Sequence, residues 1–80
     1  MKVDIVTLDK ILLSTEASSV IVPGKGGRFE MLDQHAPIIS ILDHGTIKVT
    51  DNKNQVELIN VIGGSIEMSN NKITILADTE

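Results

Sequence analysis

The sequence predicts an all-β fold, either a sandwich or a flattened barrel, and three observations lead to this prediction. Isoleucine, valine and threonine make up 25 of the 80 residues, a composition typical of strands. Apolar residues alternate with polar ones in short runs, as in strands with one buried face. Turn-forming residues separate these runs at the spacing of a sandwich or barrel. The length of the chain fits one domain over residues 1–80.

The alternating runs, taken in chain order, define the candidate strands. They centre on Val3 and Ile5, Ile47 and Val49, Ile66 and Met68, and Ile73 and Ile75. Two denser apolar runs, Val20–Val22 and Leu58–Ile62, predict strands that are covered on both faces. The stretch Asp9–Ala17 bunches its apolar residues instead of spacing them at helical intervals, so it is predicted to be a strand or a turn.

Turn-forming residues connect these runs. Asn70–Asn71 predicts a tight two-residue hairpin, because asparagine tolerates the positive φ that such a turn requires. Asp51–Asn54 predicts a longer hairpin loop and Asp43–Gly45 a turn. The segment Pro23–Gly27 contains three glycines and is predicted to be the most flexible part of the chain.

Composition and charge exclude several classes of function. The net charge is −4 and Phe29 is the only aromatic residue, so neither a basic stripe nor stacking aromatics are available for nucleic acid. Cysteine is absent, which excludes disulfides and thiolate metal sites, and two histidines alone are a poor metal set. A domain this small often relies on a partner for stability, so we expect a protein partner and neither metal nor cofactor.

No apolar stretch approaches the ~18 residues that span a bilayer, and the residues after Met1 lack a secretory apolar region. We therefore expect a soluble intracellular protein, and the sequence leaves open an attachment to a membrane complex through other subunits.

The residues offer no convincing catalytic set. Gly24–Gly27 suggests a phosphate-binding loop, but its lysine is followed by glycine instead of serine or threonine, and a surface loop is the alternative. His35 and His44 each lie near an aspartate without a nucleophile motif, which favours solvated or interface histidines over catalysis. Gly63–Gly64 indicates either a bulge or a docking surface.

The default function of such a chain is to bind another protein. A free-standing β-sandwich adaptor, a carbohydrate-binding module and a small hydrolase using His35 or His44 are the competing hypotheses. A carbohydrate-binding module is disfavoured, because sugar binding usually uses several exposed aromatic side chains.

Several sequence blocks occur together in a characteristic order. They are 3–7 (VDIVT), 20–24 (VIVPG), 27–32 (GRFEML), 35–39 (HAPII), 45–49 (GTIKV), 63–68 (GGSIEM) and 73–79 (ITILADT). Across essentially the whole chain, this set resembles the amino-terminal β-sandwich domain of the epsilon subunit of F-type ATP synthase. The resemblance implies a flattened ten-stranded sandwich or barrel of two packed sheets.

The resemblance also implies a function. In that family the domain belongs to a non-catalytic subunit of the central stalk, which binds the gamma subunit and the membrane c-ring. It turns with them and helps to couple ion translocation to ATP synthesis or hydrolysis, with no cofactor in this domain. The absence of a transit peptide favours a bacterial source, although plastid-encoded relatives also lack one, so the expected location is peripheral, on the cytoplasmic face of a bacterial membrane.

Residue by residue, the resemblance implies two interfaces. The one facing the c-ring comprises Arg28, Phe29, Glu30, Met31 and His35. The one facing the gamma subunit comprises Thr7, His35, Ala36 and Pro37.

The chain departs from the family pattern at three places. Arg28 stands where the family often has glutamate, so either the c-ring loop differs in charge or Glu30 supplies the acidic group. Asp33 and Gln34 replace a common Pro-Gly pair before the histidine. The printed sequence stops at Glu80, whereas many members continue into two helices that inhibit the enzyme and in some members bind ATP. The sequence leaves open whether this is the natural end.

Overall fold

The computed structural model describes residues 1–80. The chain forms eight strands, and no helix in it is long and apolar enough to cross a bilayer. The strands are β1 (Lys2–Val6), β2 (Ile11–Gly24), β3 (Gly27–Leu32), β4 (Ile38–Leu42), β5 (Gly45–Asp51), β6 (Val56–Val61), β7 (Gly63–Ser69) and β8 (Lys72–Asp78). The predicted all-β class is confirmed, whereas the expected count of ten strands is wrong. The 14 residues of β2 form one continuous strand that serves both sheets, so fewer strands complete the sandwich.

Two sheets share β2. Its first half, Ile11–Glu16, pairs with β1, and the order continues through β8 and β7 to β4; we call this sheet I. Its second half, Ser19–Gly24, lies between β3 and β5, and β6 follows β5; we call this sheet II. The register of β2 against β5 shifts between Ala17 and Ser19, where the strand passes from one sheet to the other. Only β1 and β8 run parallel.

The core lies between the two sheets and is entirely apolar. Sheet I contributes alternate residues of its strands, including Val3, Ile5, Ile73 and Ile75, all fully buried. Sheet II contributes Val20, Val22, Met31, Ile47, Val49 and Val61. No polar or charged side chain is buried, so the hydrophobic effect supplies the main attraction between the sheets.

The turns largely follow the sequence prediction. Asn70 and Asn71 have φ values of 52° and 59° and join Ser69 directly to Lys72, which confirms the two-residue hairpin. The loop after β5 is also confirmed, and Asp51 stabilises it by accepting backbone N–H bonds. Pro23 and Gly24 lie within β2 and Gly27 begins β3, so the segment predicted to be most flexible is a hairpin with a two-residue tip.

The prediction that the dense apolar runs are covered on both faces is only partly right. Val20 and Val22 are buried while Ile21 between them is half-buried. In β6 the prediction is wrong, because Leu58 is 65% exposed and Val61 is the only buried residue of that strand. Since β6 is the edge strand of sheet II, nothing in the domain covers its outer side.

Gly64 is required by a close approach of two backbones. The register of β7 against β8 continues without a break from Gly63 to Ser69, so there is no bulge here. Gly64 has a φ of 141°, and a Cβ atom on it would collide with the carbonyl oxygen of Leu76. The glycine therefore lets β7 pack tightly against β8.

Candidate interaction surfaces

An exposed apolar row crosses the outer face of sheet I. Successive cross-strand pairs place Ile41 beside Ser65, Ser65 beside Leu76, Leu76 beside Val6, and Val6 beside Ile11. Ile41, Leu76 and Ile11 are between 41% and 69% exposed. We call Val6, Ile11, Ile41 and Leu76 the apolar row. Apolar side chains on the outer face of four of five neighbouring strands, interrupted only by Ser65 of β7, are typical of a protein-binding site.

A polar part of this face centres on Asp4. Its carboxylate accepts a 2.7 Å hydrogen bond from the hydroxyl of Ser14, and the ammonium groups of Lys2 and Lys72 lie 3.9 and 3.8 Å away. The hydrogen bond from Ser14, followed by the two lysine charges, lowers the pKa of Asp4 below its ordinary value. The outer face of sheet I is therefore divided into an apolar part and a polar part.

A groove extends the apolar part toward the start of β4. It is lined by Pro37, Ile38, Ile39, Glu67, Met68 and Ser69, and Ile39 is 79% exposed. Pro37, predicted for the gamma interface, therefore borders the same outer face as the apolar row.

The loop carrying His35 is fastened to the β7–β8 turn. Asp33 accepts hydrogen bonds from the side chain of Asn71 at 2.9 Å and from the α-amino group of Met1 at 3.0 Å. The bond from Asn71, then that from the amino group, lowers the pKa of Asp33. The backbone N–H of Gln34 donates to Asn71 at 2.8 Å, with Gln34 at a φ of 67°. The loop thus has a defined geometry although its side chains are exposed.

Four of the five residues predicted to face the c-ring lie within β3, and their side chains point to opposite faces of the strand. Arg28 and Glu30 face outward from sheet II, where Arg28 donates to the carbonyl of Thr46 at 2.8 Å and Glu30 accepts from Ser19 at 2.6 Å. Phe29 is half-buried and packs against the core. Met31 is fully buried, so its side chain belongs to the core, and the assignment of this side chain to a surface is corrected.

The predicted sites are spread over the domain. Arg28 lies near the start of β3 and His35 lies beyond its end, and the strand from Arg28 to Leu32 alone spans about 13 Å at a rise of about 3.3 Å per residue. Thr7 follows β1 at one end of sheet I, whereas His35, Ala36 and Pro37 lie at the opposite end. A single partner that contacts both Thr7 and Pro37 must therefore extend along the outer face of sheet I.

The structure assembles no catalytic or metal-binding group from these residues. The His35 ring hydrogen-bonds only to the carbonyl oxygen of Ala36, and the His44 ring has no hydrogen bond. Gly24–Gly27 leads into a strand instead of a helix, so the phosphate-loop hypothesis is wrong. No group of three or more histidine, aspartate or glutamate residues could hold a metal ion.

Sequence reasoning missed the apolar row. One signal was present: Leu76 and Val6 are apolar at the outward positions of strands whose inward residues are already apolar. In an amphipathic strand these outward positions are normally polar, so an apolar residue there indicates contact with something outside the domain.

Comparison with known proteins identifies the family. Residues 1–80 match the sequence model of the family described as ATP synthase, Delta/Epsilon chain, beta-sandwich domain. The chain belongs to this family. A relative named ATP synthase epsilon chain from Desulfitobacterium hafniense is 47% identical over 68 residues, covering 85% of this chain and 51% of the relative. One of the same name from Leptospira interrogans is 36% identical over 78 residues, covering 98% of this chain and 61% of the relative.

Two solved structures contain a chain with the same fold as this domain. A chain in the mitochondrial ATP synthase of Euglena gracilis, solved with the c-ring, superposes with a TM-score of 0.87 at 16% identity, covering 94% of this chain and 48% of that chain. A chain in the central stalk and c-ring assembly of Tetrahymena thermophila superposes with a TM-score of 0.80 at 18% identity, covering 98% and 63%. The chain spans about half to three-fifths of the length of these curated relatives.

Proposed function

We propose that this domain is part of a non-catalytic rotor subunit that binds the gamma subunit and the c-ring of ATP synthase. In this role it helps to couple ion translocation to ATP synthesis or hydrolysis. The observation that carries the proposal is the apolar row on sheet I, in a chain whose relatives are named ATP synthase epsilon chain. The subunit would sit peripherally on the cytoplasmic face of a bacterial membrane and contact the membrane only through the complex.

The outer face of sheet I is the proposed gamma-binding surface. Burial of Ile41, Leu76 and Ile11 would remove apolar area from water, which is the principal source of affinity in most protein associations. The face is bordered by Thr7 at one end and Pro37 at the other, two residues that the family resemblance assigns to the gamma interface. One extended partner therefore accounts for both positions.

The c-ring contact is proposed at the exposed side chains of β3 and the following loop. Arg28 and Glu30 present opposite charges on the outer face of sheet II, and His35 lies on the exposed loop beyond the strand. Polar and charged side chains of this kind suit contact with the polar loops of a c-ring, where complementary charge sets the specificity. Met31 acts here only as core support for the strand.

The test is co-elution of this chain with the gamma subunit from the same organism, measured by size exclusion and native mass spectrometry. A stable one-to-one complex is the expected result. Replacement of Ile41 and Leu76 by serine is expected to abolish the complex, whereas replacement of Val56 and Leu58 on sheet II is the matched control. Failure of two folded partners to associate would contradict the proposal and favour the adaptor hypothesis.

A further inference from the structure

The turn between β1 and β2 presents a leucine to solvent. Leu8 is 95% exposed, although hydrogen bonds brace the turn that carries it. The N–H of Thr7 donates to the carbonyl of Lys10 at 2.8 Å, and the Thr7 hydroxyl donates to Asp9 at 2.9 Å. Since these bonds hold the turn, little conformational freedom of the backbone would be lost when Leu8 enters a partner.

Leu8 continues the apolar row beyond the edge of the sheet. β1 ends at Val6, which lies beside Ile11 on one side and Leu76 on the other, and the turn projects from this point. Thr7 alone separates Val6 from Leu8 along the chain, so a partner that covers the apolar row needs to extend only a short way to reach Leu8.

The surroundings of Leu8 are acidic. The groove beside it is lined by Thr7, Leu8, Asp9, Lys10, Ala77, Asp78 and Thr79. Two carboxylates stand against one ammonium group, and neither Asp9 nor Asp78 forms an ion pair. A complementary partner would surround its apolar pocket with at least one lysine or arginine.

We propose that Leu8 is an anchor that inserts into an apolar, basic-rimmed pocket of the partner covering sheet I. This inference rests on the proposed function, in which that partner is the gamma subunit. It adds a specific contact at the β1–β2 turn and defines the chemistry of the surface that receives it.

The experiment measures the Kd for the gamma subunit of the same organism by calorimetry. L8A is compared with the matched control L58A, another exposed leucine on the opposite face of the domain. L8A is expected to weaken binding by about tenfold or more, as anchor residues do, while L58A changes it less than about twofold. Both variants should keep the unfolding temperature of the parent chain, since both side chains are exposed.

The acidic surroundings are tested separately with D78N. It is expected to weaken binding about threefold at low salt, and the difference should shrink at high salt as the charges are screened. Unchanged affinity of D78N at low salt would overturn the proposal that basic residues surround the partner's pocket.

The outcomes separate this inference from the proposed function. Normal affinity of L8A, in a chain that binds gamma, would overturn the anchor and leave the proposed function standing. Equal losses in L8A and L58A would also overturn it, because exposed apolar area anywhere would then be sufficient. Absence of any binding by the parent chain would overturn both.

Discussion

The side chain of Asn71 donates a 2.9 Å hydrogen bond to Asp33 from the turn between β7 and β8. The same carboxylate oxygen accepts a bond from the α-amino group of Met1, which also donates to the carbonyl of Ala17. One aspartate therefore joins the start of β1, the last hairpin and the loop that carries His35. The position of a proposed interface residue therefore depends on one carboxylate oxygen that accepts two hydrogen bonds.

We expect stability to fall in acid through Asp33 and Asp4. Hydrogen bonds lower the pKa of both groups below the ordinary value of 3.8, led by those from Asn71 and Ser14 respectively. A carboxyl with a depressed pKa in the folded state stabilises the fold above its unfolded pKa. This contribution is lost as the pH falls through the folded value. Urea unfolding over a pH series should therefore show the free energy of unfolding declining below about pH 4.

The variant D33N measures how much Asp33, in the loop that carries His35, contributes to the loss of stability in acid. Its amide oxygen can still accept from Asn71, but it carries no charge and does not titrate, so the decline in acid should be shallower. D9N is the control, since Asp9 lies on an exposed turn away from this cluster. A D33N protein with the pH dependence of the parent chain would refute the assignment.

Gly64 should be among the positions least tolerant of substitution. An alanine Cβ there would collide with the Leu76 carbonyl, at a φ of 141° that side chains rarely adopt. We expect G64A to lower the free energy of unfolding by about 3 kcal/mol or more, because the backbones of β7 and β8 must separate. Chemical denaturation measures this directly.

The matched control is G26A, in the tip of the β2–β3 hairpin. A Cβ atom on Gly26 meets nothing within 4 Å, so the change should stay within about 0.5 kcal/mol. Comparable losses in the two variants would mean that glycine is needed for chain flexibility instead of for the close approach.

Gln34 offers a stabilising substitution. It holds a φ of 67°, a conformation that is unfavourable for most side chains and neutral for glycine. We expect Q34G to raise the free energy of unfolding by about 0.5 kcal/mol, since the strain removed exceeds the extra entropy of the unfolded chain. Q34A should have little effect, because it removes the side chain and keeps the strain. Thermal unfolding of the three proteins compares them, and a loss of stability in Q34G would contradict the strain argument.

Local pattern was sufficient to predict six of the eight strands and the tight turns, but it marked neither β3 nor β4. Alternation placed Ile73 and Ile75 in the core, and the Asn70–Asn71 pair marked its hairpin, because both signals arise from neighbours in the chain. The burial of the side chains of β6 could not be predicted in this way. Whether Leu58 is covered depends on which strand lies at the edge of the sheet, and that is a property of the whole topology.

The candidate surfaces required the structure for the same reason. The apolar row joins residues as distant in sequence as Val6, Ile41 and Leu76, and only the pairing of strands makes them neighbours. Conversely, the resemblance grouped Arg28 with His35, which are separated by the length of β3, and included Met31, which alternation turns into the core. Sequence order therefore indicated the segment but not the direction of its side chains.

The charge of Arg28 provides a test of the c-ring contact. Its side chain is exposed on sheet II and bonds only the carbonyl of Thr46, so R28E should cost at most about 1 kcal/mol of stability. Because the substitution reverses a charge at the proposed interface, we expect the affinity for the purified c-ring to change by about three- to tenfold at low salt. The change should diminish at high salt, where exposed charges are screened.

E30R should shift the affinity in the opposite direction, and K53E, in the β5–β6 loop, should leave it unchanged. Unaltered binding of R28E at both low and high salt would remove Arg28 from the interface, and the c-ring contact would then have to rest on His35 and its loop.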